Sequence, residues 1–149
     1  MQSTDHEHIR VVITDDHALY RAGVKTSLSF RKRIKVIGEA ENGLRLLELL
    51  EKVQPDVILL DIQMPVMDGM TALPEVKRLF PDIKVIILSF MDDQSMITKV
   101  MELGANAYLP KTSDPEIIYE AIQTCFEKEY YHNTYTARSL HNVSQPESN

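Results

Sequence analysis

The sequence predicts a doubly wound α/β domain, a (βα)5 unit whose five parallel strands lie in the order 2-1-3-4-5. Three observations predict it. Short apolar, β-branched runs alternate with segments of helical spacing along most of the chain. Two of the runs, 56–61 (DVILLD) and 83–89 (IKVIILS), are almost continuously apolar, as strands covered on both faces must be. Charged and hydroxyl side chains fall just past the strand ends, where open α/β sheets collect function.

The elements run in order along the chain. The first strand is expected at 9–14 (IRVVIT), with a helix near 17–30. A second, half-polar strand at 34–40 (IKVIGEA) suits a sheet edge. In the helix near 43–53, Leu46, Leu50 and Val53 recur at i, i+4, i+7 on one face. The third strand, 56–61, precedes a helix near 70–80. Pro74 fits such a helix only in the first turn, so regular structure is placed from about Thr71. After the fourth strand, 83–89, Met96, Val100 and Leu103 mark a helix near 92–103, and Gly104 stands where it should stop. A short fifth strand at 107–109 (AYL) leads to a helix over 114–129. Asp114-Pro115-Glu116 gives that helix a capping Asp, a proline at its first position and an acidic first turn. Ile118, Ala121, Ile122 and Cys125 share its inner face, which makes Cys125 a core residue, and Tyr130-Tyr131 is expected to close it against the body. The domain thus spans 9–131, between a disordered N-terminal tail, 1–8, and a polar C-terminal tail or linker, 132–149.

Composition limits what such a domain does. With 44% hydrophobic and 26% charged residues in 149, the chain can bury one core. A net charge of −6 and a pI near 5.3 leave no overall footprint for nucleic acid or an anionic membrane. A DNA role would need a further segment. One cysteine allows no internal disulfide, no apolar run approaches ~20 residues, and the start is polar and acidic, so a cytoplasmic location is expected.

The chemistry sits at the strand ends. The first strand runs into Asp15-Asp16-His17, the third ends in Asp61, the fourth in Ser89, and the fifth is followed by Lys111. Strands 1 and 3 are neighbours in the predicted order, so three carboxylates converge. Held close they repel, and a hard divalent cation with oxygen ligands relieves that repulsion. Such an ion also neutralises charge during phosphoryl transfer to a carboxylate, for which Lys111 supplies a cation and Ser89 a donor. Taken singly, the acidic residues read also as helix caps, Ser89 more readily as a loop or capping hydroxyl, and Lys111 more readily as a solvated lysine. Their coincidence on four strand ends is what points to one site.

These residues carry a resemblance. The segments IRVVITDDHALYRAGV, DVILLDIQMPVMDGMTAL, VIILSFMDD and GANAYLPK resemble the receiver domain of two-component response regulators, over roughly residues 9–129. The fold it implies is flavodoxin-like. DDH followed by Arg21 and Gly23 is most similar to the NarL/FixJ-type subfamily, whose members carry a LuxR-like helix-turn-helix output. The resemblance implies Asp61 as phosphoacceptor, to be carried as 4-aspartylphosphate, and Mg²⁺ (Mn²⁺ can substitute) held by Asp15, Asp16, Asp61 and the Gln63 backbone oxygen. Ser89 matches the switch hydroxyl, Tyr108 the switch aromatic and Lys111 the family lysine. Met64-Pro65 and Asp68-Gly69 match the loop after the acceptor. Implied too are a sensor histidine kinase as donor, transcription regulation through an output domain, and possible homodimerisation through the helix 4–strand 5–helix 5 face. Such a domain is a signalling switch rather than an enzyme.

Two departures bear on this. The family has proline after the lysine, where this chain has Thr112, with Pro110 before it. No helix-turn-helix follows residue 130, so the chain reads as a fragment of a longer regulator or as a stand-alone receiver acting by protein contacts. On phosphorylation, Ser89 is expected to move to the phosphate and Tyr108 to turn inward. Gln63 and Met91 occupy the positions that tune phosphate loss, and with Met91 apolar that loss should be slow.

Other classes fit less well. An Asp-nucleophile phosphatase of the haloacid dehalogenase type needs an acid or Thr two residues after the nucleophile, where Gln63 stands. In a flavodoxin-like FMN binder, Asp15-Asp16 would repel the phosphate. His17 reads as structural or partner-contacting, and His6, His8, His132 and His141 have no metal-ligand spacing.

Overall fold

In a computed structural model, residues 8–137 are described; most of each expected tail, 1–7 and 138–149, lies outside them. Strands β1 (Ile9–Thr14), β2 (Ile34–Ala40), β3 (Val57–Leu60), β4 (Lys84–Ser89) and β5 (Ala107–Pro110) form one parallel sheet, ordered β2-β1-β3-β4-β5. Helices α1 (Ala18–Ser29), α2 (Gly43–Leu50), α3 (Gly69–Leu79), α4 (Gln94–Glu102) and α5 (Pro115–Lys128) alternate with them. The architecture is the expected flavodoxin-like one.

Strand pleating sorts the core. Val12, Ile58, Leu60, Ile87 and Tyr108 point to one face, where Leu46 and Leu50 of α2, Leu73 and Val76 of α3, and Ile97 and Val100 of α4 cover them. Val11, Ile13, Leu59, Ile86 and Leu109 point to the other, under Val24 and Leu28 of α1 and Ile118, Ile122 and Cys125 of α5. The central strands are buried on both faces, hence their unbroken apolar runs.

Local chemistry sets the helix ends. Asn42 caps α2 by accepting the Arg45 N–H at 2.8 Å, Asp68 caps α3 from Thr71 at 2.9 Å, and Asp93 caps α4. Gly104 follows α4 with φ +111°, a conformation suited to glycine.

Four expectations need correcting. Helix α3 starts at Gly69, not near Thr71, so Pro74 sits inside it. Asp114 occupies the N-cap position of α5 but its side chain caps nothing, leaving Pro115 and Glu116 as the start signals. Of the tyrosine pair, Tyr131 packs on the core while Tyr130 is exposed and stacks on His132. Residues 134–137, placed in the expected tail, form a helical turn against the domain.

Candidate functional site

The strand ends bring the expected residues together. Asp15 continues the β1–β2 pairing, its N–H donating to the Ala40 carbonyl at 3.0 Å, and the Asp61 N–H donates to the Thr14 carbonyl at 3.0 Å. Two carboxylates on adjacent strands therefore stand just past the carboxyl end of the sheet, both buried. Lys111, anchored by its N–H to the Ser89 carbonyl at 2.9 Å, reaches back across β4. Its buried ammonium lies 2.6 Å from Asp15 Oδ2 and 3.3 Å from Asp61 Oδ2. Among the described residues every peptide bond is trans, including that between Lys111 and Thr112, so this reach is made without the family's proline.

Charge compensation is incomplete. Asp61 Oδ2 sits at ion-pair distance from the lysine, yet no donor is aligned on it as a hydrogen bond. Burial raises the Asp61 pKa first, the Asp15 charge adds to the rise, and Lys111 only partly opposes it. Asp16, more exposed, and His17 complete the cluster: one ligand atom from each of Asp15, Asp16, His17 and Asp61 lies within 4.8 Å of the others. Buried carboxylates with an unpartnered oxygen and a surplus of negative charge fit a hard divalent cation.

The loops hold this arrangement. Arg21 in α1 donates from Nη1 to the Asp15 carbonyl and from Nε to Glu39 in β2 at 2.9 Å, tying the acidic loop to the sheet edge. The β3–α3 loop turns tightly at Val66, where the Met67 N–H reaches the Pro65 carbonyl at 2.7 Å and φ is +71°. Gln63, Met64, Pro65 and Asp68 line an open groove with Asp16 and His17. Gly69 allows a close approach there: a Cβ on it would stand 2.2 Å from the Asp61 carbonyl oxygen, and backbone would have to shift.

Ser89 is buried at the end of β4, its Oγ accepting the Met91 N–H at 2.9 Å. Met91 is half-buried against the α2–α3–α4 core, and its carbonyl accepts the Tyr108 hydroxyl. Tyr108 is wholly buried, so the inward turn expected of it on phosphorylation does not start from an exposed ring.

Two neighbours escaped the sequence reading, and a third, His17, was assigned there to another role. Tyr20 and Phe90 place their rings 4.7 and 5.2 Å from the Lys111 ammonium, on which aromatic faces attract the charge. Burial pushes the Tyr20 hydroxyl up to about 12, with Asp15 and Asp61 adding to the rise. His17, read as structural or partner-contacting, has Nδ1 3.0 Å from Asp15 Oδ1 and 3.2 Å from the Lys111 ammonium. Its adjacency to Asp15-Asp16 was the one available signal. Beside Lys111 opens an apolar groove between α1 and α5, lined by Leu19, Tyr20, Val24 and Ile118.

The chain and its fold have counterparts among known proteins. The family described as response regulator receiver domain matches residues 11–140. The transcriptional regulatory protein DegU of Brevibacillus brevis is 40% identical over 122 residues, 82% of this chain and 52% of DegU. The response regulator GacA of Pseudomonas aeruginosa is 33% identical over 132 residues, 89% of this chain and 62% of GacA. The chain thus spans between half and two thirds of the length of these curated relatives. Among solved structures, the receiver domain of a NarL response regulator from Mycobacterium tuberculosis superposes with a TM-score of 0.78 at 36% identity, covering 82% of this chain and 98% of that one. The isolated receiver domain of RcsB from Salmonella enterica serovar Typhimurium, solved with the phosphomimetic BeF3⁻, gives 0.80 at 25% identity, covering 89% and 98%. Among the described residues no helix is long and apolar enough to cross a membrane.

Proposed function

The chain belongs to the response regulator receiver domains of two-component systems, of the NarL/LuxR type, and from that premise we propose that it is a switch which takes a phosphoryl group onto Asp61. One observation carries the reading. A buried lysine ammonium stands between two buried carboxylates on adjacent strand ends, and the Asp61 oxygen facing it has no hydrogen-bond donor. That oxygen is a nucleophile held in a site with cationic help.

In the step, an Asp61 carboxylate oxygen bonds to phosphorus while the bond to the donor atom breaks, and the donor leaves with its electron pair. Lys111 moves its attraction from two carboxylates to the new phosphoryl oxygens, and Ser89 donates its hydroxyl to one of them. Asp15, Asp16, Asp61 and the Gln63 backbone oxygen would hold Mg²⁺ or Mn²⁺, which when bound neutralises charge on the transferring group. Gln63 and Met91 set how fast water removes the phosphate.

The donor is a sensor histidine kinase, and the exposed Leu19 at the lip of the α1–α5 groove supports docking of a protein donor beside Lys111. The event is read out in the cytoplasm through the α4–β5–α5 face, by homodimerisation or by an output domain that binds DNA. The same chemistry would serve a receiver acting by protein contacts alone.

The test is labelling of the full chain with acetyl phosphate. Wild type should form a base-labile aspartyl phosphate only with Mg²⁺ present, and Asp61→Asn should form none. Full labelling of Asp61→Asn would move the acceptor elsewhere and end this reading.

A further inference from the structure

The contact that buries Tyr108 comes partly from the residues that follow α5. After α5 the Tyr131 N–H donates to the Asn106 carbonyl at 3.1 Å, which fixes the point of departure. Asn133 then organises the turn at 134–137. Its Oδ1 accepts the N–H groups of Tyr135 and Thr136 at 3.0 and 3.1 Å, and its carbonyl accepts that of Ala137 at 2.8 Å. Its Nδ2 donates outward, to the backbone carbonyl of Tyr108 at 2.8 Å. Tyr135 packs its ring against that of Tyr108, with centroids 5.5 Å apart and planes inclined by 59°. Thr136 is buried, which a loose tail residue would not be.

On its other side, Tyr108 is bonded toward the phosphoryl site. Its hydroxyl donates to the Met91 carbonyl, and the Met91 N–H donates to Ser89 Oγ. An unbroken series of contacts therefore runs from Ser89 through Met91 and Tyr108 to Asn133 and Tyr135. We propose that residues 133–137 are an intramolecular ligand of the face centred on Tyr108, seated while Ser89 is bonded to Met91 and unseated when Ser89 turns to a phosphoryl group. This rests on the reading of Asp61 as acceptor.

The physical sequence is short. A Ser89 hydroxyl drawn onto a phosphoryl oxygen gives up the Met91 N–H and frees the 90–93 loop. The loop takes with it the acceptor of a buried tyrosine hydroxyl, a group that does not stay buried without a partner. The Tyr108 ring shifts, and Tyr135, which packs on that ring, loses its seat. The anchor at Tyr131 does not depend on Tyr108, so only the residues beyond that anchor are released. Any partner that uses the α4–β5 face has to displace the same five residues.

Coupling of this kind is reciprocal: if the phosphorylated state disfavours the seated segment, removing the segment's grip favours that state by the same factor. The full chain is compared with and without Mg²⁺ and beryllofluoride by amide exchange resolved at Tyr131, Tyr135, Thr136 and Ala137. The last three amides should exchange about fivefold faster or more with the mimic, while Tyr131 is unchanged. Tyr135→Ala and Asn133→Ala should each tighten apparent beryllofluoride binding by a similar factor, and Tyr108→Phe, which keeps the ring but loses the Met91 bond, should cut the exchange response. Acetyl phosphate labelling of the same preparations separates the failures. Labelled protein whose three amides do not respond overturns the segment's role alone. Protein that takes no label on Asp61 overturns the acceptor reading and this proposal with it.

Discussion

Asp61 ionises against its surroundings, and that has a measurable cost. Its pKa in the fold is raised above the ordinary 3.8, so the fold favours the neutral acid. The associated stability is fully present below 3.8 and is lost as pH rises through the raised value. Asp61→Asn keeps a neutral group at every pH. Without metal it should therefore melt above wild type at pH 7, with the advantage fading toward pH 3, in thermal melts across that range. Equal melting temperatures at pH 7 would show that Lys111 compensates Asp61 fully. Phosphate lifetime is also decided by single residues. Met91→Glu should shorten it several-fold and Gln63→Leu lengthen it, followed as loss of label from purified phosphoprotein in Mg²⁺; equal loss from wild type and Met91→Glu would remove Met91 from that role. The convergence of Asp15, Asp16, Asp61 and Lys111 was legible in the sequence because strand order alone brings their positions together. Tyr20 and Phe90 were not, because their contact with Lys111 depends on the rotation of α1 and the path of the β4–α4 loop.

At the scale of the element, α3 carries the sharpest constraints. Its first residue, Gly69, abuts the Asp61 carbonyl, and the Gly69 N–H donates to the Ile62 carbonyl at 2.8 Å. Gly69→Ala would force backbone against backbone. It should lower stability by about 2–3 kcal/mol in urea titration and slow acceptor labelling, since Asp61 must shift. Pro74 acts in the opposite sense. Inside the helix it leaves the Met70 carbonyl without its N–H, so Pro74→Ala should stabilise by about 1–3 kcal/mol in the same titration. Among the described residues the strands were legible from their apolar runs and α2, α4 and α5 from helical spacing, but the start of α3 was not. Proline's intrinsic cost argued for a later start, whereas the Asp68 cap and the close approach at Gly69 fix an earlier one.

Across the whole molecule, the two ends of the sheet are built differently. The carboxyl end gathers charge and loops, while the opposite end is tied by Asn106. That buried side chain accepts from the Val85 N–H and the Lys77 ammonium and donates to the Glu129 carbonyl, linking β4, α3 and the end of α5. Asn106→Ala should cost about 2–4 kcal/mol in urea titration yet leave acceptor labelling of the folded protein near normal. Labelling lost in step with Asn106 would mean that the two ends are not independent. The seat of residues 133–137 was illegible because nothing in their polar spacing shows what they touch. The strand order has one further bearing, on how the chain is made. Strand β1 leaves the ribosome first and must wait for β2 and β3, which take its two sides. From then on the sheet has a single growing edge, and β4 and β5 join it in the order of their synthesis. Each new strand finds its one neighbour already in place, so assembly can keep pace with translation and no finished pairing has to be undone.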